Sequence, residues 1–191
     1  MRTSLVAVAA VAATALAALP ALPAAASTHP LTFRGMTLQL PSGWKVYRAT
    51  GGWTKVVTGT CAKPKAGYNE PECRAFWVLG PDAIKHGQEI FQPYTGKRPF
   101  YPATDVQLCP IKRKLGQSFD KAADKGLRQV GPGHKAAYRS WKFSCRPYAH
   151  LENVKLRYVQ REWYLPTSKI LVVDQFSTPG LDRVLKNASW R

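Results

Sequence analysis

Residues 153–176, NVKLRYVQREWYLPTSKILVVDQF, carry the clearest strand pattern of the chain and decide its fold class. Residues 153–165 form the longest strand candidate, in which Lys155, Arg157 and Arg161 alternate with Leu156, Tyr158 and Gln160. After a short break, residues 169–176 are apolar on both faces, which is typical of a strand covered on both sides. The segment therefore predicts two strands inside an antiparallel sheet.

Further strands are expected on either side of this pair. Residues 135–145 alternate, with Trp141 and Phe143 on one side, and residues 74–79 form a short apolar run that suits a central strand. Residues 31–40 predict a strand whose register shifts at Gly35-Met36, where either a bulge or a turn is expected. A turn at residues 41–43 would return the chain as a second strand at 44–48, so we expect a hairpin there.

Helices are expected to be few and short. Residues 81–86 suit one or two helical turns, residues 118–125 suit a short helix capped by Ser118, and a last helix begins at Thr178-Pro179. Residues 88–110 are rich in Pro, Gly and aromatic residues and predict a long ordered loop. The sum is an α+β fold: a twisted antiparallel sheet with a few short helices, a C-terminal helix and disulfide-stapled loops.

Residues 1–26 have the pattern of a secretory signal peptide. Arg2 precedes an apolar run at residues 5–19, and Ala24-Ala25-Ala26 forms a small-residue cleavage site. The run is too short and too rich in alanine for a membrane span, which needs about 20 apolar residues. We expect cleavage before Ser27, secretion by the general route, one mature domain at 27–191 and no transmembrane segment after cleavage.

All four cysteines lie after the expected cleavage site: Cys61, Cys73, Cys109 and Cys145. An even number in an exported chain predicts two disulfides, with three possible pairings. We favour Cys61 with Cys73 and Cys109 with Cys145, because the first pair would order residues 62–72. A zinc site is the competing interpretation, disfavoured because C-x2–4-C and H-x3–5-H spacings are absent. No metal and no cofactor are expected.

The charge of the chain favours anionic partners. The formal net charge is +17, and residues 112–157 hold twelve Lys and Arg against three acidic residues. Outside the cell the available polyanions are wall polymers, lipid head groups, acidic polysaccharides and released nucleic acid. No module for sequence-specific nucleic-acid recognition occurs. A solvated basic surface without a specific ligand is the simpler alternative.

A basic ladder is the best candidate site for such a partner. Alternate positions of one predicted strand carry cations that would project from one face, and two neighbouring connecting segments could extend them. The ladder consists of Lys155, Arg157 and Arg161, extended by Lys112, Arg113 and Lys114 and by Lys121, Lys125 and Arg128.

No catalytic residue is predicted, although three groups have side chains that could serve a functional site. His150 and Glu152 would share a strand face, where they could form an acid–base pair or only a surface coincidence. Asp174, within an apolar strand, needs an arginine or backbone partner, and an internal ion pair is favoured over catalysis. Trp53 follows Gly51-Gly52 and is the tryptophan expected to be exposed, either as a surface for stacking a sugar or as part of the core.

One segment resembles a known family. Leu38-Gln39-Leu40-Pro41-Ser42-Gly43-Trp44 is similar to the L-P-x-G-W hairpin that opens domains of the Mog1/PsbP-like α+β fold, and the C-terminal order of strand, strand and helix is similar to the end of those domains. The resemblance implies a binding or assembly role and carries over no functional residue. The cysteines and residues 88–110 depart from the pattern. The whole chain also resembles small uncharacterised secreted proteins of actinobacteria, which implies no activity.

These observations favour a secreted, non-catalytic domain that binds anionic cell-envelope or extracellular polymers. One alternative is a secreted hydrolase with an unrecognised active site, which would have a cleft with converging titratable groups. The other is a protein-partner module, which would have a large exposed apolar patch.

Overall fold

The computed structural model describes residues 27–65, 67–68 and 70–191, so the expected signal peptide at 1–26 lies outside the described residues. Within the described residues the chain forms ten strands and two short α-helices. The strands are β1 Thr28–Phe33, β2 Met36–Pro41, β3 Lys45–Ala49, β4 Trp53–Val57, β5 Ala75–Leu79, β6 Gly116–Gln129, β7 Lys135–Arg146, β8 Leu156–Leu165, β9 Ile170–Asp174 and β10 Ser189–Trp190. The helices are α1 Pro81–Lys85 and α2 Leu181–Lys186.

The strands form two antiparallel sheets. Seven of them make the main sheet, in the order β3-β4-β5-β9-β8-β7-β6, and β1, β2 and β10 make a small second sheet. β8 and β9, the two strands expected from residues 153–176, are neighbours in the main sheet. All five residues of β9 are buried, as its apolar pattern predicts.

The first hairpin differs from the sequence prediction. β1 pairs with β2 through a two-residue turn at Arg34-Gly35, where φ is 50° and 83°. Two successive positive φ values are those of the type I′ turn, which glycine at the second position favours. β3 pairs with β4 in the main sheet. The predicted hairpin across residues 41–43 is therefore wrong, because the chain changes sheets at that turn.

The helix predicted at residues 118–125 is also wrong. These residues belong to β6, which pairs with β7 and forms the edge of the main sheet. The register of this pair shifts twice, between Phe119 and Lys121 and between Ala122 and Asp124. Each shift changes which side chains face the sheet surface, so β6 has no simple alternation in its sequence.

Both faces of the main sheet are covered over part of their area. On one face, here called the α2 face, Phe76, Trp163 and Val172 pack against α2 and the small sheet. On the other face, the loop face, Trp77 and Val173 pack against α1 and residues 86–110. The loop layer contributes Tyr94 and Phe100 to this core, and Tyr68 of the Cys61–Cys73 loop packs against it.

The expected fold class, α+β, is corrected to a sheet-rich fold. Strands account for 44% of the structure and helices for 9%. The layers that cover the main sheet are a small sheet and a long irregular loop, with α1 and α2 supplying only five and six residues. The last helix begins at Leu181, after a left-handed Gly180, and not at Thr178-Pro179.

The two disulfides have the expected pairing. Cys61 is bonded to Cys73, and Cys109 is bonded to Cys145, which joins the end of the loop layer to β7. Two disulfides indicate an extracellular or otherwise oxidising environment. No helix in the described part of the chain is long and apolar enough to cross a membrane.

Candidate functional site

Arg161 lies inside the protein and does not belong to an exposed ladder. Its Nε and one terminal nitrogen donate to Asp174 Oδ2 at 3.0 and 2.6 Å, and the other terminal nitrogen donates to Asp182 at 2.8 Å. The Asp174 side chain is fully buried and that of Arg161 is 16% exposed. The predicted internal ion pair of Asp174 is therefore confirmed, and its partner is one of the residues assigned to the ladder.

The two other members of the predicted ladder are exposed. Lys155 and Arg157 lie at the start of β8, beyond the area that α2 covers. Arg157 pairs in register with Ser144 of β7, and the next pairs along the strands bring Lys142 beside Val159 and Lys121 beside Lys142. Residues paired directly across antiparallel strands share a face. We call the surface formed by Lys121, Lys142, Lys155 and Arg157 the basic face.

Asp120, the carboxylate beside the basic face, makes its contacts with Ser144 and Arg146. Asp120 accepts a hydrogen bond from Ser144 Oγ at 2.7 Å, and a terminal nitrogen of Arg146 lies 3.4 Å from the same oxygen. All eleven acidic residues lie in the described part of the chain, and none of them forms an ion pair with a member of the basic face. The basic face therefore carries four cations without a neutralising partner.

The segment Lys112, Arg113 and Lys114 lies before β6, at the end of the sheet where β8 begins. All three residues are exposed. Arg113 contacts the Cys61–Cys73 loop, with its Nε 3.9 Å from Glu72 and its backbone N–H donating to the same carboxylate. The structure thus separates Arg113 from the basic face and directs it towards the loop face.

Arg113 lines a cavity of about 400 Å³ that sequence reasoning did not anticipate. We call it the cationic cavity, because Lys55, Lys63, Lys65 and Arg113 line it together with Glu70. The Lys55 side chain is fully buried, and its Nζ donates to Glu70 Oε2 at 2.6 Å. This pair holds the loop that carries Lys63 and Lys65 against β4.

Lys55 and Glu70, which both line the cationic cavity, shift each other's pKa. Burial lowers the pKa of Lys55, opposed by the hydrogen bond and charge of Glu70. For Glu70, burial alone would raise the pKa. Hydrogen bonds from Lys55 and the backbone of Lys65, with the charges of both lysines, bring it below its ordinary value. Each partner therefore favours the ionised form of the other.

A second cavity, of about 460 Å³, adjoins the first and shares Gly67 and Tyr68 with it. We call it the aromatic cavity, because Trp53, Tyr68 and Phe91 line it beside His86. The ring of Trp53 lies 5.9 Å from that of Tyr68, centroid to centroid. Trp53 is half-buried, so the expectation of an exposed tryptophan is met only in part, and its ring also contacts the core through Phe100.

The rim of the aromatic cavity contains a strained turn. Ile90 and Phe91 both have positive φ, 58° and 54°, and their side chains are 66% and 50% exposed. A β-branched residue rarely adopts the left-handed conformation, and two successive residues in it cost free energy. The turn therefore carries a conformational free-energy cost, and it exposes an apolar side chain to solvent at the edge of the aromatic cavity.

A buried carboxylate fastens the loop layer to the main sheet. Glu162 is fully buried and accepts four hydrogen bonds, from the Phe100 backbone, Gln160, Tyr94 and Trp141, all at 2.7 Å. Burial raises the pKa of Glu162, and the four donors oppose that effect. The position of Glu162 between Gln160 and Tyr164, on the inward side of the β8 alternation, is the sequence signal that could have identified it.

The remaining candidates from the sequence do not assemble a reactive site. His150 and Glu152 lie 3.6 Å apart, but their side chains are 68% and 78% exposed. One group in the described residues has the spacing of a metal site, namely Cys61, Glu70 and Cys73. The two cysteines are joined by a disulfide, so they offer no thiolate to a metal.

Comparisons of this chain with protein-family models, with curated protein sequences and with solved structures find no match.

Proposed function

We propose that this protein is a secreted, non-catalytic domain that binds anionic polymers of the cell envelope or the extracellular space. The observation that carries the proposal is the basic face, where Lys121, Lys142, Lys155 and Arg157 project without a carboxylate partner. Cations spaced along a surface bind a polyanion by displacing its condensed counterions. The +17 net charge adds a long-range attraction to the same partners.

The energetics of the basic face support a ligand. Lys121 and Lys142 stand directly opposite each other across antiparallel strands, and like charges in this arrangement destabilise a sheet. Some other cations of the fold lie beside carboxylates, as Arg161 does beside Asp174. A polyanion lying across β6, β7 and β8 would reduce the repulsion. The residues of the face are exposed and contribute little else to folding.

The proposed location rests on two features. Residues 1–26 have the composition of a secretory signal peptide, and both disulfides suit an oxidising compartment. N-terminal sequencing of the exported protein should give a start at or near Ser27. An intact N-terminus on protein recovered from the cytoplasm would contradict secretion.

The binding proposal is tested with teichoic acid and with a heparin-like resin. We expect the affinity to fall roughly 10–100-fold between about 50 and 200 mM salt, because each phosphate or sulfate contact releases a counterion. The double substitution Lys142→Glu/Arg157→Glu should weaken binding at least about tenfold at low salt and leave the free energy of unfolding nearly unchanged.

The matched control is Arg48→Glu/Lys135→Glu, which changes the net charge by the same amount. Arg48 lies on the opposite edge strand and Lys135 at the far end of β7, and both are exposed. Binding by this control should stay close to that of the unmodified protein. Equal weakening by the two double substitutions would show that only net charge matters, and absence of binding at low salt would refute the proposal.

A further inference from the structure

The cationic and aromatic cavities lie side by side on the loop face, and we call the two together the recess. Gly67 and Tyr68 line both cavities. Trp53 and Lys55 are two residues apart on β4 and therefore share a face, about 6–7 Å from each other along the strand. Each cavity, at about 400 and 460 Å³, has the size of a small-molecule site.

The two halves of this recess suit two different parts of one ligand. Partly exposed aromatic rings such as Trp53 and Phe91 offer flat apolar surfaces to the apolar face of a sugar ring. Lys63, Lys65 and Arg113 offer charge-assisted hydrogen bonds to a carboxylate or phosphate.

The floor of the recess fixes this arrangement. The Lys55–Glu70 pair ties the loop to β4, and Trp77 Nε1 donates to the Gly67 carbonyl at 3.1 Å. The Tyr68 hydroxyl donates to the Phe100 carbonyl and accepts from Gln175, while its ring stays partly exposed. The Tyr68 ring and the backbone of the loop are thus held in position before any ligand arrives, which lowers the entropy cost of binding.

We infer that the recess binds a single sugar unit that carries a carboxylate or a phosphate, with its ring on Trp53 and Phe91 and its anionic group near Lys63, Lys65 and Arg113. The basic face lies on the other surface of the sheet, at a different group of strands. The inference is therefore independent of the proposed polymer binding, and each can fail without the other.

The test is titration of the full mature protein with monosaccharides, followed by tryptophan fluorescence and calorimetry. The probes are glucuronate, glucose 6-phosphate, glucose and inorganic phosphate. We expect at least one of the two acidic sugars to bind about tenfold or more tightly than both glucose and inorganic phosphate, since only they engage both halves. Comparing the two acidic sugars distinguishes a carboxylate from a phosphate ligand.

Substitutions separate the contributions of the two halves. Lys63→Gln/Lys65→Gln should weaken the acidic sugar about fivefold or more and leave the weak binding of glucose unchanged. Trp53→Ala should weaken sugar binding, but it also removes contacts with the core through Phe100. Phe91→Ala, at a half-exposed position, is therefore the second test of the aromatic half and should also weaken binding of the sugar. Lys135→Gln/Lys186→Gln, exposed and distant, is the control and should bind normally.

Three results would overturn the inference. They are no binding of either acidic sugar, inorganic phosphate binding as tightly as the acidic sugars, and unchanged sugar affinity in Lys63→Gln/Lys65→Gln. The variant Lys142→Glu/Arg157→Glu should keep full affinity for the monosaccharide. If it loses that affinity together with polymer binding, the ligand lies on the basic face and the assignment to the recess is wrong.

Discussion

Arg161 and Arg157 illustrate how the same side chain takes two roles four residues apart on one strand. Both project towards the α2 face, but α2 and its preceding turn cover only the end of β8 where Arg161 lies. Arg161 donates to Asp174, to Asp182 and to the Thr178 carbonyl, which links β8, β9 and the turn before α2. Arg157 remains in solvent. The alternation of β8 identifies the shared face, but the sequence has no signal for where α2 stops.

Replacement of Arg161 should therefore destabilise the fold, and replacement of Arg157 should not. Arg161→Ala leaves the buried Asp174 carboxylate without its cation, which costs about 3–5 kcal/mol. Arg157→Ala should stay within about 0.5 kcal/mol of the unmodified protein, since it lies at an exposed position. Urea unfolding followed by circular dichroism measures both. Similar stability of the two variants would show that the backbone N–H groups of Phe176 and Thr178 and the Thr178 hydroxyl satisfy Asp174 without Arg161.

At the scale of the element, the sequence predicts strands well where one covered face imposes alternation. This basis predicts β7 and β8, whereas β9 is predicted from its apolar residues on both faces. The helix predicted at residues 118–125 rests on Ser118 as an N-cap. These residues belong to β6, which is exposed at most positions and changes register twice, so that no alternation marks it as a strand. The sequence does not predict that the chain passes from the small sheet to the main sheet after Pro41. The residues of a strand do not by themselves indicate which other strand they pair with. The two cavities were missed for the same reason, since they join segments that are distant in sequence.

The loop layer, residues 86–110, depends on the buried Glu162 carboxylate for its position. Glu162→Gln replaces one oxygen with an amide nitrogen that would face hydrogen-bond donors, since each Glu162 oxygen accepts two bonds. We expect a loss of about 2–4 kcal/mol and faster amide exchange at Phe100, whose N–H donates to this carboxylate. Hydrogen exchange followed by mass spectrometry, with urea unfolding, gives both quantities.

Tyr94→Phe is the matched control for this prediction. It removes one of the four donors and leaves the carboxylate in place, so its cost should be smaller, about 1–2 kcal/mol. Exchange at Phe100 should change little in Tyr94→Phe. If Glu162→Gln is as stable as the unmodified protein and its loop exchanges no faster, then aromatic packing alone holds the loop layer.

At the scale of the whole molecule, the two covering layers of the main sheet are stabilised in different ways. The α2 face is covered by regular elements whose apolar side chains form the largest core, including Leu31, Leu38 and Leu181. The loop face is covered mainly by chain without regular structure, which loses more conformational entropy for each apolar contact that it makes. Both disulfides lie on this side, one at each end of the chain segment that contains the loop layer. The recess for which we infer sugar binding is built on this covalently supported side.

The two disulfides should therefore contribute differently to stability and to binding. The bonded residues of Cys109–Cys145 are 36 apart and those of Cys61–Cys73 are 12 apart, so chain entropy predicts losses of about 4 and about 3 kcal/mol on removal. Cys61→Ala/Cys73→Ala releases one end of the loop that carries Lys63 and Lys65. Its affinity for an acidic monosaccharide should fall severalfold, while polymer binding by β7 and β8 should persist at temperatures where the domain stays folded. Urea unfolding and the two binding assays, carried out on Cys61→Ala/Cys73→Ala and on Cys109→Ala/Cys145→Ala, test these expectations. If Cys61→Ala/Cys73→Ala loses monosaccharide and polymer binding in parallel, the loop face and the basic face do not act independently.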